Sequence, residues 1–307
     1  MTGCVTTHEG TEYTLPALLS WELTCTGGVP CDSFAVRCAY SAEMEPVLCA
    51  ATRFTAREDG KTVFFGVIDE WSAECGGSGK MLQISGRGMA ALLLDNESEA
   101  AVYERATTAD ILRRHVVPYG VVCDGYDALH LNGYIVESGG SEWRALSEFT
   151  RRAGGFLPYM TRDGRLILRK ERTRPTLSLD GAAVTALKYR DKRYGVLSEV
   201  VLIDRKTRTR TRVENSAFRA RGGACRRVQY AQHLGAARSD GDDMLARSRA
   251  GAETLTVTIS GRFEADAGDI VPVSGSALGV TGIFAVAEVT RRMDETGETT
   301  VLTLERE

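Results

Sequence analysis

Residues 141–169 read SEWRALSEFTRRAGGFLPYMTRDGRLILR, and this stretch predicts a helix, a glycine stop and a hairpin. The hydroxyl of Ser141 can cap the start of the helix by accepting a backbone hydrogen bond. Apolar side chains then recur at helical spacing and predict one buried face, formed by Trp143, Leu146, Phe149 and Ala153. Gly154-Gly155 marks the end of the helix, because glycine enters the left-handed conformation at little steric cost.

The second half of the stretch predicts two short strands joined by a tight turn. Residues 156–160 and 166–168 are mostly apolar, and Asp163-Gly164 between them is typical of a hairpin turn. Most of the chain on either side shows strand patterns. We therefore interpret residues 141–169 as the centre of an α/β segment with a mainly β segment on each side.

The composition is that of a globular protein with enough chain for several domains. The 307 residues are 43% hydrophobic and 26% charged. No apolar run approaches the roughly 20 residues that cross a bilayer, so we expect no membrane segment. The N-terminus lacks the basic start and apolar core of a signal peptide, so we expect no export signal.

The eight cysteines are spread along the chain, and no two of them form a C-x-x-C pair. They are Cys4, Cys25, Cys31, Cys38, Cys49, Cys75, Cys123 and Cys225. In a chain of this length without an export signal, we expect reduced thiols that are buried as small apolar side chains.

Residues 1–95 predict a first β-barrel domain. Apolar side chains at Trp21, Leu23 and Cys25 alternate with others, as half-buried strands require. Glycine-rich turns separate several such runs, and the predicted strands lie at 21–25, 34–40, 47–54, 62–71 and 81–85. Short strands with these turns indicate an antiparallel barrel or sandwich.

Residues 96–180 predict a small α/β segment. In addition to the helix that follows Ser141, residues 107–117 predict a helix with Thr107 or Thr108 as its cap. Asp110 lies in the first turn of that helix, where the helix dipole favours an acidic side chain.

Residues 181–307 predict a second β-barrel domain that carries a basic hairpin and a short helix. Alternation is clearest where Leu255, Val257 and Ile259 are interleaved with threonines. The predicted strands lie at 198–203, 207–213, 254–259, 269–273, 283–289 and 300–304, and the helix at 240–249. The predicted fold is mainly β with an α+β insert: two related β-barrel domains flank a small α/β segment.

The two β segments share a sequence pattern. A strand led by Gly66 and a strand led by Gly282 are each followed by a tight turn and an alternating strand. The alternating strands contain the apolar residues Leu82 and Ile84 in one case and Leu302 and Leu304 in the other. A duplicated β module explains this pattern, and so does chance, because such hairpins are common.

The glycine-rich sequence CGGSGKM at 75–81 invites comparison with a phosphate-binding loop. That motif requires a glycine where Glu74 stands and a hydroxyl where Met81 stands. The motif also opens a helix, whereas this stretch lies between two predicted strands. We therefore interpret it as a hairpin loop. The chain also contains no Gly-x-Ser-x-Gly nucleophile elbow.

Titratable side chains give no enzyme class clear support. The four histidines are scattered, and no two have the spacing of a helical zinc site. Cys123, Asp124 and His130 are conceivable as a nucleophile and base, but a buried cysteine and a surface histidine explain them more simply. Glu70 and Glu74 form either a carboxylate pair or alternating surface acids. We predict no catalytic, cofactor-binding or metal-binding residues, and no enzyme activity.

The basic stretch at 188–227 is the clearest anomaly, with thirteen Lys or Arg against four Asp or Glu. In the predicted strand 207–213, Arg208, Arg210 and Arg212 lie on one face. Such a row can bind an acidic protein surface or phosphates. It can equally be a solvated edge strand whose charges oppose aggregation. The strand lacks aromatic side chains for base stacking, which counts against nucleic acid.

Four stretches taken in order resemble the baseplate hub family of contractile phage tails and related injection machines, the late control protein D and XkdQ-type hub proteins. They are FFGVID to the apolar run at 64–94, TTADIL at 107–112, the stretch 141–168, and GDIVPV with the last hairpin at 268–304. Each motif alone is weak, but the ordered set spans most of the chain.

This resemblance implies two related β-barrel domains with α/β material between them. It also implies a homotrimer whose six barrels form a ring that adapts a hexameric tail tube to a trimeric central spike. The implied partners are the tail tube protein, the central spike protein and other baseplate proteins, with no cofactor. The implied location is the virion tail baseplate, assembled in the bacterial host cytoplasm.

Two other functions stay open at this point. A nucleic-acid-binding β protein would use the basic hairpin at 205–227 and would show salt-sensitive binding to DNA or RNA. A cell-wall hydrolase would turn over peptidoglycan, although no residues for that chemistry stand out.

Overall fold

The strand and helix signals of the sequence fold into a mainly β protein, as predicted. A computed structural model describes residues 1–30, 32–77, 79–216, 226–233 and 237–307, without the side chains of 233 and 237–240. The strands are β1 (Thr2–Thr7), β2 (Glu12–Thr14), β3 (Leu18–Thr26), β4 (Ser33–Ala39), β5 (Ala51–Glu58), β6 (Lys61–Gly76), β7 (Gly79–Gly88), β8 (Ala101–Thr107), β9 (Cys123–Tyr126), β10 (His130–Val136), β11 (Tyr159–Met160), β12 (Leu166–Leu168), β13 (Val184–Asp191), β14 (Glu199–Asp204), β15 (Arg210–Glu214), β16 (Val228–His233), β17 (Glu253–Ser260), β18 (Ile270–Val273), β19 (Gly282–Asp294) and β20 (Gly297–Arg306). The helices are α1 (Glu45–Ala50), α2 (Ala91–Leu94), α3 (Thr108–His115), α4 (Glu142–Gly154) and α5 (Ala237–Arg249), and 3-10 turns lie at Ala42–Met44 and Val117–Tyr119.

One large sheet contains strands from both ends of the chain. Its order is β13-β17-β20-β19-β3-β4-β7-β6-β5-β1-β2, and β18 also pairs with β19. Three smaller sheets have the orders β10-β8, β11-β12-β9 and β15-β14-β16. The two β segments of the sequence therefore meet in a single sheet, where β19 lies antiparallel to β3.

Each β segment has its own apolar core, because alternate side chains of each strand point to one face. The first core contains Phe34 stacked on Phe54, with ring centroids 4.2 Å apart. The core of the second segment is built around Phe284 with side chains of β17 and β20. A small separate core at Val200 and Leu245 holds α5 against the β15-β14-β16 sheet.

The middle of the chain confirms the predicted helix signals. Thr107 and Asp110 form a capping box at the start of α3. The Ser141 hydroxyl accepts a hydrogen bond from the backbone N–H of Arg144, 3.2 Å away, at the start of α4. Gly155, with φ 72°, caps the end of α4 in the left-handed conformation. The apolar face of α4 packs into the core of the middle segment, which also takes in Val67 and Met89 of the first β segment.

Several local predictions differ from the structure. Residues 47–50, predicted as the start of a strand, belong to helix α1, which has Pro46 in its first turn. The middle segment also contains strands β8, β9 and β10, which the sequence analysis did not predict. The hairpin at Asp163-Gly164 is present, but its first strand is limited to Tyr159–Met160.

Five strands of the first β segment recur in the second in the same arrangement. We call β3–β7 the N unit and the set β13, β17, β18, β19 and β20 the C unit. The N unit has the strand order β3-β4-β7-β6-β5, and the C unit has the order β13-β17-β20-β19-β18. When the five strands of each unit are numbered along the chain, both orders read 1-2-5-4-3. The same strand order in both units supports a duplicated module.

The register of the two units also agrees. Trp71 lies opposite Ile84 in the β6–β7 hairpin, and Val289 lies opposite Leu302 in the β19–β20 hairpin. Each hairpin contains a one-residue irregularity just before these pairs, at 69 and at 287. A second irregularity occurs between the first two strands of each unit, at 19 and at 185. Bulges of this kind are local features that set a register.

This register corrects the alignment that the sequence suggested. Gly66 of β6 lies opposite Phe54 of β5. The matching position in β19 is Phe284, which lies opposite Val271 of β18. Gly282 is therefore not the counterpart of Gly66. The apolar periodicity alone placed the two hairpins out of register by two residues, because a shift of two leaves the alternation unchanged.

Candidate interaction surfaces

The joint between the two β units lies where β19 pairs with β3. The pairing places Glu288 opposite Thr26 and Arg292 opposite Glu22. Across the joint, the hydroxyls of Thr24 and Thr290 are 3.0 Å apart and form a hydrogen bond. Backbone and side-chain bonds therefore both join the N unit to the C unit.

A buried arginine strengthens this joint. Arg291 is 4% exposed and donates to both carboxylate oxygens of Glu58 at 2.9 Å and to Glu298 at 2.5 Å. Its guanidinium also lies 5.4 Å from the ring centre of Trp21. Burial works against the charged form of Glu58, but the hydrogen bonds from Arg291 hold the pKa of that carboxyl below its usual range.

The predicted arginine row is exposed but is not carried by one strand. β15 begins at Arg210, and Arg208 lies in the preceding turn with φ 59°. The strand prediction for 207–213 is therefore too long at its start. Arg212 lies 3.6 Å from Glu199, which Arg226 also contacts at 2.5 Å. Arg208 and Arg210 lie at the end of this small sheet where the chain turns from β14 into β15.

The conceivable thiol nucleophile is not activated. Cys123 begins β9 and its thiol donates to the carbonyl of Gly125, 3.6 Å away. Burial raises the pKa of the Cys123 thiol, which disfavours the thiolate that a nucleophile requires. His130 is an exposed residue at the start of β10, a different sheet.

The glycine-rich stretch at 75–81 is a hairpin loop, as predicted. Cys75 lies opposite Lys80 in the β6–β7 ladder, and the turn follows Gly76. Glu70 and Glu74 are exposed on β6, and Glu74 pairs with Arg37 at 2.8 Å. The carboxylates are therefore surface acids of a hairpin.

The cysteines are free thiols where the structure describes them. Cys4 and Cys38 are buried, as predicted, whereas Cys49 and Cys75 are exposed. Cys31 and Cys225 lie outside the described residues. Burial raises the pKa of Cys38 to about 11, consistent with a small apolar side chain in the core.

A polar network in the middle of the chain was missed by the sequence analysis. His115, in the last turn of α3, and Glu142, in the first turn of α4, are both buried and lie 2.6 Å apart. Tyr119 donates to the same carboxylate at 2.7 Å, and Tyr103 lies 3.1 Å from the other His115 nitrogen. The hydrogen bond to Glu142 raises the pKa of Tyr119 to about 12. The network fastens α3 to α4 and β8.

Among the described residues, no three His, Cys, Asp or Glu side chains come together as a metal site would require. No helix in the same residues has the length and apolar character to cross a membrane.

Solved structures that resemble this fold come from phage tails and a secretion system. A tail protein from Neisseria meningitidis MC58 matches with a TM-score of 0.77 and 18% identity, over 99% of this chain and 96% of that chain. The 43 kDa tail protein of prophage MuSo2 from Shewanella oneidensis matches at 0.76 and 17% identity, over 100% and 98%. The E. coli c3393 protein, a component of the type VI secretion system with structural similarity to T4 tail proteins gp27 and gp5, matches at 0.53 and 12% identity, over 94% and 73%.

No protein-family model and no curated protein matches the chain. At these identities the structural matches show a shared fold, and the fold extends over nearly the whole length of two tail proteins. The resemblance noted from the sequence is thus confirmed at the level of the fold.

Proposed function

We propose that this chain is a structural baseplate hub of a contractile phage tail or a phage-like injection particle. The observation that carries the proposal is the likeness in fold, over 99% and 100% of this chain, to two tail proteins. Such a protein acts by binding other proteins through complementary surfaces.

The hub assembles as a homotrimer whose ring joins the tail tube to the central spike. The duplication supports this arrangement. Three chains that each contain an N unit and a C unit place six similar units around a ring, and six matches a hexameric tube while three matches a trimeric spike. Two different surfaces of one chain that pair head to tail form a closed ring when the rotation between neighbours closes.

The three segments of the sequence are the proposed domains. Residues 1–95 and 181–307 supply the units of the ring, and residues 96–180 fill the space between them. Three apolar cores support a division into three parts, and the middle core also takes in Val67, Met89 and Leu93 of the first segment. The tail tube, the spike and other baseplate proteins are the proposed partners, and the virion baseplate, assembled in the bacterial cytoplasm, is the proposed location.

We assign Arg208, Arg210 and Arg212 to contact with an acidic surface of one of these partners. The exposure of all three side chains supports the assignment. Reversing Arg208 and Arg210 to Glu should lower the affinity for the tail partner and leave the mass of the purified assembly unchanged. Salt-sensitive DNA binding that disappears in the same variant would instead support the nucleic-acid alternative.

Electron microscopy of the purified chain tests the hub proposal. We expect negatively stained particles to give ring-shaped averages with three strong and three weaker repeats. Particles with the size of one chain under all conditions, combined with turnover of peptidoglycan, would overturn the proposal in favour of an enzyme.

A further inference from the structure

Two of the open strand edges of the large sheet lie in the N unit and the C unit. Residues 53–58 of β5 pair with residues 61–67 of β6, whereas residues 70–76 of β6 pair only with β7. β13 lies at the end of the large sheet and pairs only with β17. Unpaired N–H and C=O groups along an exposed edge form a template for another strand.

The internal repeat indicates which strand fits each edge. By strand order and register, β6 is the counterpart of β19, and β13 is the counterpart of β3. Inside the chain, β19 and β3 already pair with each other. A pairing of β6 with β13 would be the same joint made a second time. Within one chain six strands separate β6 from β13, so the natural partner is a second copy.

The register of the existing joint can be transferred to the new one. The joint places Arg292 opposite Glu22. Glu74 is the counterpart of Arg292 in the β6–β7 hairpin, and Lys188 is the counterpart of Glu22 at the start of the C unit. The transferred register thus sets Glu74 opposite Lys188, which repeats the charged pair of the joint with its signs reversed.

A second pair along the two edges is also complementary in charge. The same register sets Glu70 opposite Lys192 and Ser72 opposite Arg190. All four of these side chains are exposed within one chain. An acidic edge therefore meets a basic edge, and cross-strand pairs of opposite charge stabilise antiparallel pairing. Lys192 N–H already bonds to the Ala252 carbonyl, which extends the β13 ladder to this position.

We propose that a second copy of this chain pairs its β13 edge, antiparallel, with residues 70–76 of β6, with Glu74 opposite Lys188 and Glu70 opposite Lys192. This inference rests on the proposed function, because a ring of three chains needs one such joint between each pair of neighbours. Each chain uses two different edges, so closing the ring leaves neither edge exposed.

Charge reversal tests the pairing. Glu74→Lys and Lys188→Glu each place like charges opposite one another and should raise the dissociation constant of the trimer roughly tenfold or more. The double variant restores an opposite pair and should recover most of the loss, since the two side chains act together. Sedimentation velocity over a range of concentrations measures the effect.

A matched control separates this effect from contacts within the chain. Glu74 also contacts Arg37 of its own chain at 2.8 Å. Arg37→Ala removes that contact without changing either edge and should leave the dissociation constant unchanged. The proposed edges would be overturned if Arg37→Ala raised the dissociation constant as much as the charge reversals do. They would also be overturned if the wild-type chain is a trimer and neither single reversal changes its dissociation constant.

Cysteine cross-linking tests the register itself. In a chain with exposed Cys49 and Cys75 replaced by Ser, Glu74→Cys combined with Lys188→Cys should form disulfide-linked trimers on mild oxidation. Glu74→Cys combined with Arg190→Cys is the mismatched control and should link poorly. A trimer that links in neither pair contradicts this interface but not the hub, whereas a wild-type chain that never assembles contradicts the ring and this interface together.

Discussion

His115 Nδ1 lies 2.6 Å from Glu142 Oε2, and both side chains are buried. One carboxylate thus joins the end of α3 to the start of α4, and it also accepts a hydrogen bond from Tyr119. A buried partner of this kind is costly to remove because the remaining polar groups stay buried without a bond.

Glu142→Ala should lower the free energy of unfolding by about 3 kcal/mol, because His115 and Tyr119 both lose their partner. Urea unfolding followed by fluorescence measures the change. The exposed Glu137→Ala is the matched control and should stay within about 0.5 kcal/mol of wild type. Equal stability of the two variants would show that the network contributes little.

The same network predicts a loss of stability at alkaline pH. Tyr119 has its pKa raised to about 12, while an unfolded tyrosine ionises near about 10. Between these values the unfolded chain releases a proton that the folded chain keeps, so its stability falls as pH rises through this window. The contribution is fully present below about pH 10.

Tyr119→Phe should therefore make the fall in stability between about pH 10 and 12 less steep. Part of the fall should remain, because burial also raises the pKa of Cys38 to about 11 and that of Tyr134 to about 12. Urea unfolding at several alkaline pH values measures the slope. The exposed Tyr126→Phe serves as the control and should leave the slope as in wild type. If both variants keep the wild-type slope, the hydrogen bond from Tyr119 to Glu142 is not the cause of the alkaline loss of stability.

The joint between the N unit and the C unit should depend on Arg291. Arg291→Ala leaves Glu58 and Glu298 without their buried cation and should lower the free energy of unfolding by about 3 kcal/mol. Arg291→Lys should recover only part of this, because an ammonium cannot make the two-pronged contact with Glu58.

The neighbouring Arg292 is exposed and provides the control, since Arg292→Ala should cost less than about 1 kcal/mol. Thermal unfolding of the three variants measures the series. A cost for Arg292→Ala as large as for Arg291→Ala would mean that general charge, and not the buried contact, holds the joint.

Gly86 should tolerate no side chain. A Cβ at this position would overlap the carbonyl oxygen of Val67, a backbone atom that has no room to move in the β6–β7 ladder. We expect Gly86→Ala to lower the free energy of unfolding by roughly 3 kcal/mol or to reduce soluble yield. Gly77→Ala, with nothing within 4 Å of its Cβ, should behave as wild type in the same measurement.

Local features of this fold were accessible from the sequence because they depend on neighbours along the chain. The cap at Ser141, the cap at Thr107 or Thr108 and the stop at Gly154-Gly155 were assigned from residue type and spacing, and the structure has Ser141, Thr107 and Gly155 in these roles. Helix α1 was missed although Pro46 marks its first turn, because the four apolar residues after Pro46 also fit a strand.

Features that join distant parts of the chain were not accessible in this way. Alternation predicts β3 and β19 separately, but it does not say that they pair. A partner for Glu142 likewise requires the packing of α3 on α4. The arginine row was predicted as one strand because alternation continues to Arg208, while the left-handed turn there depends on the local backbone path.

The solution mass of the purified chain, measured by light scattering across a range of concentrations, tests the central claim most directly. The account predicts a mass of three chains that persists on dilution until the ring dissociates. A single chain at every concentration, or a stable mass of two chains, would contradict the trimeric hub.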